Sequence, residues 1–489
     1  MDILNLITSL TIMDLAWIAL ASWCGVFWGI LGGAIPGISP SITMALVLPL
    51  TYTFDPGVAI VLLAATYIGA EYGGSIPAIL INTPGTNAAA ATVLDGYAMN
   101  KAGQGHKALG ISLYSGIVGG FIGLCGLILF TKPLSQLALQ FTPMSYFGIG
   151  ILGLSVIVSL SKGSLLKGLA SGCIGLMLAS VGTDPVTGVS RFTFGSTDLL
   201  EGIKPIIVMV GLFAITEVIN QSADPLKRFT INNAKIHFPN FKEKVLLLKS
   251  QLIGSFIGTI EGIIPGAGGT IASFLSYNEA KRWSSKPELF GCGSAEGVAA
   301  PETANNTVAC TALIPVLSFG IPGSNSAAIL LGGLLIHGIT PGPTIFTENP
   351  DTINTLYFGL IMAIIGLYFI GRLILPVCLW IVNKPRFILI SFIYLTVFTG
   401  IFSIDDSYND ILLVIVFGTI GLIFNYFKIP FLPLILGLVL GYLIESNMRR
   451  SLVLSDGSYS IFFTDKLCLL FILLGTLFIT TALFRKAKS

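Results

Sequence analysis

Charge is what this sequence has least of. Of its 489 residues only 10% are Asp, Glu, Lys or Arg, well under the ~25% of ordinary soluble domains. Water cannot be the solvent for most of its surface. The net charge of +2 excludes the basic excess of a nucleic-acid binder, so no nucleic acid is expected as a partner. Histidine is rarer still: His106, His237 and His337 stand far apart, and the seven cysteines are scattered singly. That spacing excludes a zinc or disulfide framework, and neither a metal site nor a cofactor is expected. Neither H-E-x-x-H nor G-x-S-x-G occurs, and Ala267-Gly268-Gly269 lacks the Lys-Ser/Thr of a phosphate loop; the chain is not expected to be an enzyme. No Lys or Arg precedes Lys101, so the basic start of a cleaved leader is missing and the first apolar segment reads as a permanent span.

What is present is apolar length. Hydrophobic residues make up 54% of the chain and mean hydropathy is +0.87. Windows such as Leu15–Ile35, Leu109–Phe130, Val245–Ile264, Thr355–Val382, Ile411–Phe427 and Leu467–Phe484 reach the ~20 residues a helix needs to cross the hydrocarbon core. Together with shorter stretches they predict an all-α polytopic membrane protein with about twelve crossings. Lys227, Arg228, Lys235, Lys242, Lys244 and Lys249 crowd one loop, and the tail ends in Arg485, Lys486 and Lys488. Positive loops stay inside, which places both in the cytoplasm.

The chain also repeats. Gly25 to Ile42 reads GVFWGILGGAIPGISPSI and Gly254 to Ile271 reads GSFIGTIEGIIPGAGGTI, with eight identities in eighteen positions and no gap. Further on, PAILINTPGTNAAA from Pro77 matches PVLSFGIPGSNSAA from Pro315 in the same order. Corresponding Gly/Pro interruptions in two halves are the sequence signature of transporter repeats. The expected organisation is a first repeat over 1–221 with broken helices at 33–40 and 76–95, and a basic cytoplasmic linker over 222–249. A second repeat over 250–383 follows, broken at 262–271 and 315–334, and then C-terminal transmembrane helices over 384–489. Whether the halves are inverted or parallel depends on the parity of crossings between them; inverted is the reading adopted.

Irregular backbone at membrane depth survives only where protein buries it or where it lines a wet cavity. The Pro-Gly breaks, re-entrant or near the midplane, are therefore the expected site: Gly37 and Ser39, Pro84, Gly85, Thr86 and Asn87, Gly266, and Pro322, Gly323, Ser324 and Asn325. Thr86-Asn87 and Ser324-Asn325 have the residue types of N-caps. Helix starts there would aim free N–H groups and the positive dipole end at an anion. A coupling cation, sodium or proton, finds oxygen donors in Asn82, Asn305 and Asn306 and ionisable partners in Glu71 and Glu302. A static anion channel could use the same breaks.

Two of these segments, EYGGSIPAILINTPGTNAAAATVLDGYAMNKAGQGHKALG from Glu71 and GVAAPETANNTVACTALIPVLSFGIPGSNSAAILLGGLLIHGITPGP from Gly297, resemble the signature of the large, TctA-type membrane subunit of tripartite tricarboxylate transporters. The similarity extends to GAIPGISPS and GIIPGAGG and covers about Gly25 to Phe346. It implies an ion-gradient-driven secondary transporter of the bacterial inner membrane that imports citrate or a related di- or tricarboxylate. It also implies two partners, a smaller membrane subunit and a periplasmic solute-binding protein. Thr303 and Cys310 depart locally from the family's usual small residues.

Overall fold

A computed structural model describes residues 11–36, 38–160, 165–184, 188–216, 219–220, 236–264, 268–382, 386–405 and 407–486. Gly37, Gly266 and residues 222–235 of the expected linker lie outside the described residues. Apart from one hairpin, Gly182–Thr183 on Ser190–Arg191, the regular elements are helices. An apolar chain in lipid must satisfy every backbone group within its own segments, which a helix does.

The N-terminal set is α1 (Ile12–Ala34), α2 (Pro40–Val47), α3 (Pro56–Gly73), α4 (Ser75–Ile81), α5 (Ala90–Lys101) and α6 (Gly105–Ala138). Next come α7 (Pro143–Leu160), α8 (Leu165–Ala179) and α9 (Pro205–Met209), the last continued by a π-helical stretch Val210–Ile215. A later set comprises α10 (Phe241–Ile263), α11 (Gly268–Trp283), α12 (Ala295–Thr311), α13 (Leu313–Phe319), α14 (Asn325–Ile336) and α15 (Pro350–Leu373). The C-terminal set is α16 (Leu375–Val382), α17 (Arg386–Asp405), α18 (Tyr408–Tyr426), α19 (Phe431–Leu454) and α20 (Lys466–Lys486).

Among the described residues seven helices are long and apolar enough to cross a membrane, and five shorter apolar helices take up other hydrophobic stretches. The chain is thus a multi-pass membrane protein. Some predicted windows are divided: Thr355–Val382 becomes α15 and α16, because Pro376 has no N–H to continue the first helix and the chain restarts at Ile374.

Local signals recur at aligned positions. Thr11 and Asp14 form a capping box at the start of α1, and Asn240 and Glu243 form one at the start of α10. The same helices end on Ile35 and Ile264 in nearly identical extended conformations, φ −84° and −83°. α4 and α13 end on left-handed residues, Asn82 at φ 57° and Gly320 at φ 71°. Such a residue reverses the chain and satisfies the last carbonyls, here through Thr83 N–H on Pro77 O and Ile321 N–H on Pro315 O.

The repeated glycines are packing residues. A Cβ on Gly25, Gly29 or Gly33 would lie 2.5, 2.3 or 2.1 Å from the carbonyl oxygens of Leu62, Thr66 or Ala70. On α10, a Cβ at Gly254 or Gly258 would lie 2.5 Å from the carbonyl of Ala300 or Ala304. Each set brings two helix backbones into contact, the small-residue packing that membrane helices use in place of hydrophobic burial. Because the contacts advance together along both chains, α1 runs parallel to α3 and α10 runs parallel to α12. Between the sets the direction reverses: Asn305 bonds Glu71 and Glu302 bonds Ser75, so α3 and α12 are antiparallel. The long helices cross over, with α15 against α3 (Gly359 on Val61) and α6 against α12 (Gly119 on Thr303).

Replacing Gly29 by Val should therefore separate α1 from α3. The expected loss is about 3 kcal/mol, the upper end for overpacking a core. It should be visible as a lowered melting temperature and a broadened size-exclusion peak of the solubilised protein. Phe256→Leu, on the outward face of α10, should behave as wild type.

Candidate functional site

All four expected breaks lie at one cavity of about 540 Å³. Its wall includes Ser39 before α2, Thr86 and Asn87 before α5, Gly268 and Gly269 at the start of α11, and Gly323, Ser324 and Asn325 at the start of α14. Four helix N-termini thus face one space. No Lys, Arg or His is among the described lining residues, and Glu71 is the one carboxylate.

Caps hold these starts in place. Ser39 accepts from Ile42 N–H at 3.3 Å and meets the Ser41 hydroxyl at 2.8 Å. Ser324 accepts from Ala327 N–H at 3.1 Å, as its residue type predicts for an N-cap. The first-repeat counterpart differs. Thr86 accepts from Ala89 N–H at 3.2 Å, but this closes a turn ahead of α5, which starts at Ala90 with no side-chain cap. Asn87 and Asn325 both project with exposed side chains.

The remaining expected residues support the wall from behind or stand apart. Gly85 donates its N–H to Gly74 O at 3.0 Å, and a Cβ on it would lie 2.0 Å from Gly33 O; Pro84-Gly85 turns the chain where only glycine fits. Pro322 is buried beside Gly323. Asn82 is exposed, serves as the left-handed cap of α4, and does not line the cavity.

Glu71 and Asn305 form the floor. Asn305 Nδ2 donates to Glu71 Oε2 at 3.0 Å, while Asn305 Oδ1 is buried without a hydrogen-bond partner. A Cβ on Gly269, in the cavity wall, would lie 2.5 Å from that Oδ1, so the free oxygen points at the cavity side. With a rise of ~1.5 Å per residue, Glu71 is about 22 Å along α3 from Pro56 and Asn305 is about 15 Å along α12 from Ala295. Because the two helices are antiparallel, the pair lies well inside the protein from either end. One turn away, Glu302 accepts from Ser75 Oγ at 2.6 Å, from Ser112 Oγ at 3.0 Å and from Thr92 Oγ1. Asn306 donates to the Glu302 carbonyl at 3.0 Å and keeps its own Oδ1 unpartnered.

Several contributors escaped the sequence reading. Tyr67, Ser41, Thr270 and Ser326 line the cavity, and Asn425 to Leu432 close one side. The last segment carries a visible signal, since Ile429-Pro430 repeats the Ile-Pro of Ile35-Pro36, Ile264-Pro265 and Ile321-Pro322. Asp95 is the other omission. It is fully buried, and its Oδ1 accepts the N–H groups of Gly291, Gly293 and Ser294 at 2.9, 2.8 and 2.7 Å. Its Oδ2 accepts from Tyr277 Oη at 2.9 Å. The carboxylate fills a concavity of backbone amides and ties α5 to the turn that starts α12. Asp95→Ala would leave the buried Ser294 N–H and the two glycine N–H groups without this partner, at roughly 1–3 kcal/mol for the buried one. Amide exchange at residues 291–294 should then rise by at least about tenfold, measured by hydrogen–deuterium exchange on the solubilised protein.

Comparison with known proteins agrees with this architecture of breaks. The tripartite tricarboxylate transporter TctA family matches residues 19–436. An uncharacterised 52.8 kDa protein from the TAR-I ttuC′ 3′ region of Agrobacterium vitis is 36% identical over 487 residues, covering 99% of this chain and 95% of that protein. A second uncharacterised A. vitis protein, from the TAR-II ttuC′ 3′ region, is 36% identical over 236 residues, 47% of this chain and 96% of its own length. No solved structure matches. With the family pattern spanning both sets of helices and every break that borders the cavity, the chain belongs to the tripartite tricarboxylate transporter TctA family.

Proposed function

We propose that this chain is the subunit through which a small di- or tricarboxylate of the citrate class is imported across the bacterial inner membrane, driven by an ion gradient. Substrate arrives from a periplasmic solute-binding protein, and a smaller membrane subunit completes the assembly. The observation that carries this reading is the convergence of four helix N-termini on a cavity with no cationic side chain in its described lining. Each N-terminus presents unsatisfied N–H groups and roughly half a positive charge. Together they hold an anion while leaving it free to exit, because no salt bridge has to be broken.

Glu71 supplies the reason for coupling. A carboxylate substrate about 4 Å from it is repelled by about 4 kcal/mol at an effective dielectric of 20. A cation bound beside Glu71 removes that cost, so cation and substrate each strengthen the other's binding. Glu71 and the free Asn305 Oδ1 offer sodium the oxygen donors it requires, and a proton on the carboxyl is the other means of neutralisation.

The architecture we propose is an inverted repeat of about twelve crossings, with residues 1–221 and 250–383 as its halves. It is supported by the matching caps, by parallel packing within each set, and by the antiparallel course of α3 and α12. The basic ends at Lys101 and Lys107, at Lys242 to Lys249 and at Lys281 to Lys286 fall on one side of such a bundle, read as cytoplasmic. Lys107 pairs there with Glu243 at 2.6 Å. Gly148 packs on Cys468 and Gly475 on Ser155, so α20 runs parallel to α7 and brings the C-terminus to that side as well.

Asn87→Leu and Asn325→Leu should each cut accumulation of labelled citrate at least tenfold without affecting membrane insertion. The assay is proteoliposomes that hold both membrane subunits and receive binding protein and an imposed ion gradient. Wild-type accumulation in both variants would remove the cavity from the mechanism. Purely downhill flux with single-channel currents would replace the carrier by an anion channel.

A further inference from the structure

Three buried carboxylates stand along the contact between the two sets of helices, and their partners differ in kind. Asp95 faces three backbone N–H groups and a tyrosine hydroxyl. An N–H only donates, so Asp95 Oδ1 must stay an acceptor, while its Oδ2 faces a hydroxyl. Glu71 faces the amide N–H of Asn305, again a donor, and the Thr86 hydroxyl. Every side-chain partner of Glu302 is a hydroxyl: Ser75, Ser112 and Thr92. A hydroxyl donates or accepts according to how it rotates.

A hydroxyl partner lets a carboxylate change protonation state without leaving a buried polar atom unpaired, and Glu302 is the one of the three whose side-chain partners are all hydroxyls. If Glu302 takes up a proton, one of its hydroxyl partners becomes the acceptor and turns its own hydrogen elsewhere. The alternative acceptor is built in, because each partner sits in or at the start of a helix and a Ser or Thr can donate to the carbonyl four residues earlier. Those carbonyls belong to Glu71, Ala88 and Ala108. The same back-bond is made elsewhere on α12 by Thr303 to Ala299 O and by Thr307 to Thr303 O, both at 2.8 Å. Both states of Glu302 thus find hydrogen-bond partners, with no fixed side-chain N–H donor facing the carboxyl.

We propose that Glu302 is the site that loads and releases a coupling proton, separate from the Glu71–Asn305 pair that faces the substrate cavity. This rests on the carrier reading above and names its ion. The proton adds to the Glu302 carboxylate to give a neutral carboxyl, and departs again by way of the three hydroxyls. Ser75 and Thr92 each lie four residues beyond a lining residue, Glu71 and Ala88, and lead from the cavity to Glu302.

The charges around Glu302 fit the assignment. From α3, Glu71 and Tyr72 act on it electrostatically, and the Tyr72 hydroxyl is buried without a partner. From α5 and α11 the buried ionisable groups are Asp95 and Tyr277, already bonded to each other. α6 contributes Tyr114, whose ring packs on Phe238. On α10 the nearest cation along the helix, Lys249, donates to the Trp283 carbonyl, and Glu261 lies near the far end. α13 carries no ionisable side chain. No basic side chain is bonded to Glu302 among the described residues, so a proton is the means of neutralising it, and doing so relieves its repulsion of Glu71.

The test uses the full transporter in proteoliposomes with labelled citrate, and the purified subunit in infrared difference spectra between two pH values. Glu302→Gln mimics the protonated state. It should retain citrate exchange at equal concentrations on both sides, within about threefold of wild type, and lose at least tenfold of the accumulation driven by a pH gradient. Wild type should show the carbonyl stretch of a titrating carboxylic acid, and Glu302→Gln should lack it. Ser112→Ala, which removes one rotor, should shift the pH midpoint of both signals.

Undiminished pH-driven accumulation in Glu302→Gln overturns the proposal, as does a titrating band that survives the substitution. If the Gln variant fails to fold, Ser112→Ala and the wild-type spectra decide, since a band absent at all pH values is equally fatal. A band that titrates through Glu302 in a protein that moves no citrate would refute the substrate reading while leaving the proton site standing.

Discussion

Two helix backbones touching at glycine is the constraint on which the rest of this structure depends. Apolar attraction between helices is weak in lipid, because lipid tails compete equally for apolar side chains, and close packing takes its place. Gly25, Gly29 and Gly33 let α1 lie against the carbonyls of α3, and Gly254 and Gly258 do the same for α10 on α12. These contacts fix where each first helix ends. The two helices reach their caps, Ile35 and Ile264, just past these glycines. Gly33 makes the link directly, since its carbonyl is the atom that leaves no room for a side chain at Gly85.

Once the breaks are set at depth, their backbone must be satisfied. Part of that demand is met by caps such as Ser39 and Ser324 and by left-handed turns at Asn82 and Gly320. The first turns of α2, α5, α11 and α14 still have more N–H groups than caps, and those groups face the cavity. In the function proposed above, that backbone requirement becomes a binding capacity for anions. The same economy explains why the chain keeps so little charge: its positive potential comes from peptide dipoles, which need no lysine at membrane depth.

Much of this was legible in the sequence because it is carried by local chemistry. Pro-Gly and Ser/Thr-Asn at aligned positions marked the breaks, and three of the four now border the cavity through Ser39, Thr86-Asn87 and Gly323 to Asn325. The fourth does so through Gly268 and Gly269, next to the expected Gly266. What local chemistry could not reveal was pairing across long separations. Asp95 reads as an ordinary helix residue until the turn at Gly291 to Ser294 is folded onto it. Asn82 reads as a ligand type, yet its backbone conformation assigns it to a cap. The wall from Asn425 to Leu432 comes from a region with no recognised motif, and only packing brings it to the site.

The two sets of helices are alike in backbone and unlike in charge. In the alignment that pairs Pro77 with Pro315, Glu71 faces Ala309, Glu302 faces Ala64 and Asp95 faces Gly333. None of the three buried acids has a counterpart. If the two sets were chemically equivalent, the ligand would see the same surroundings from either side and nothing would tie its movement to an ion. Glu71 stands on one set and Asn305 and Glu302 on the other, so the acids themselves make the bonds between the sets. Asp95 is held by three backbone N–H groups and the Tyr277 hydroxyl, and Glu302 by hydroxyls alone. In the carrier reading proposed above, a repeated scaffold presents two faces, and the carboxylates without a counterpart let an ion gradient choose between them.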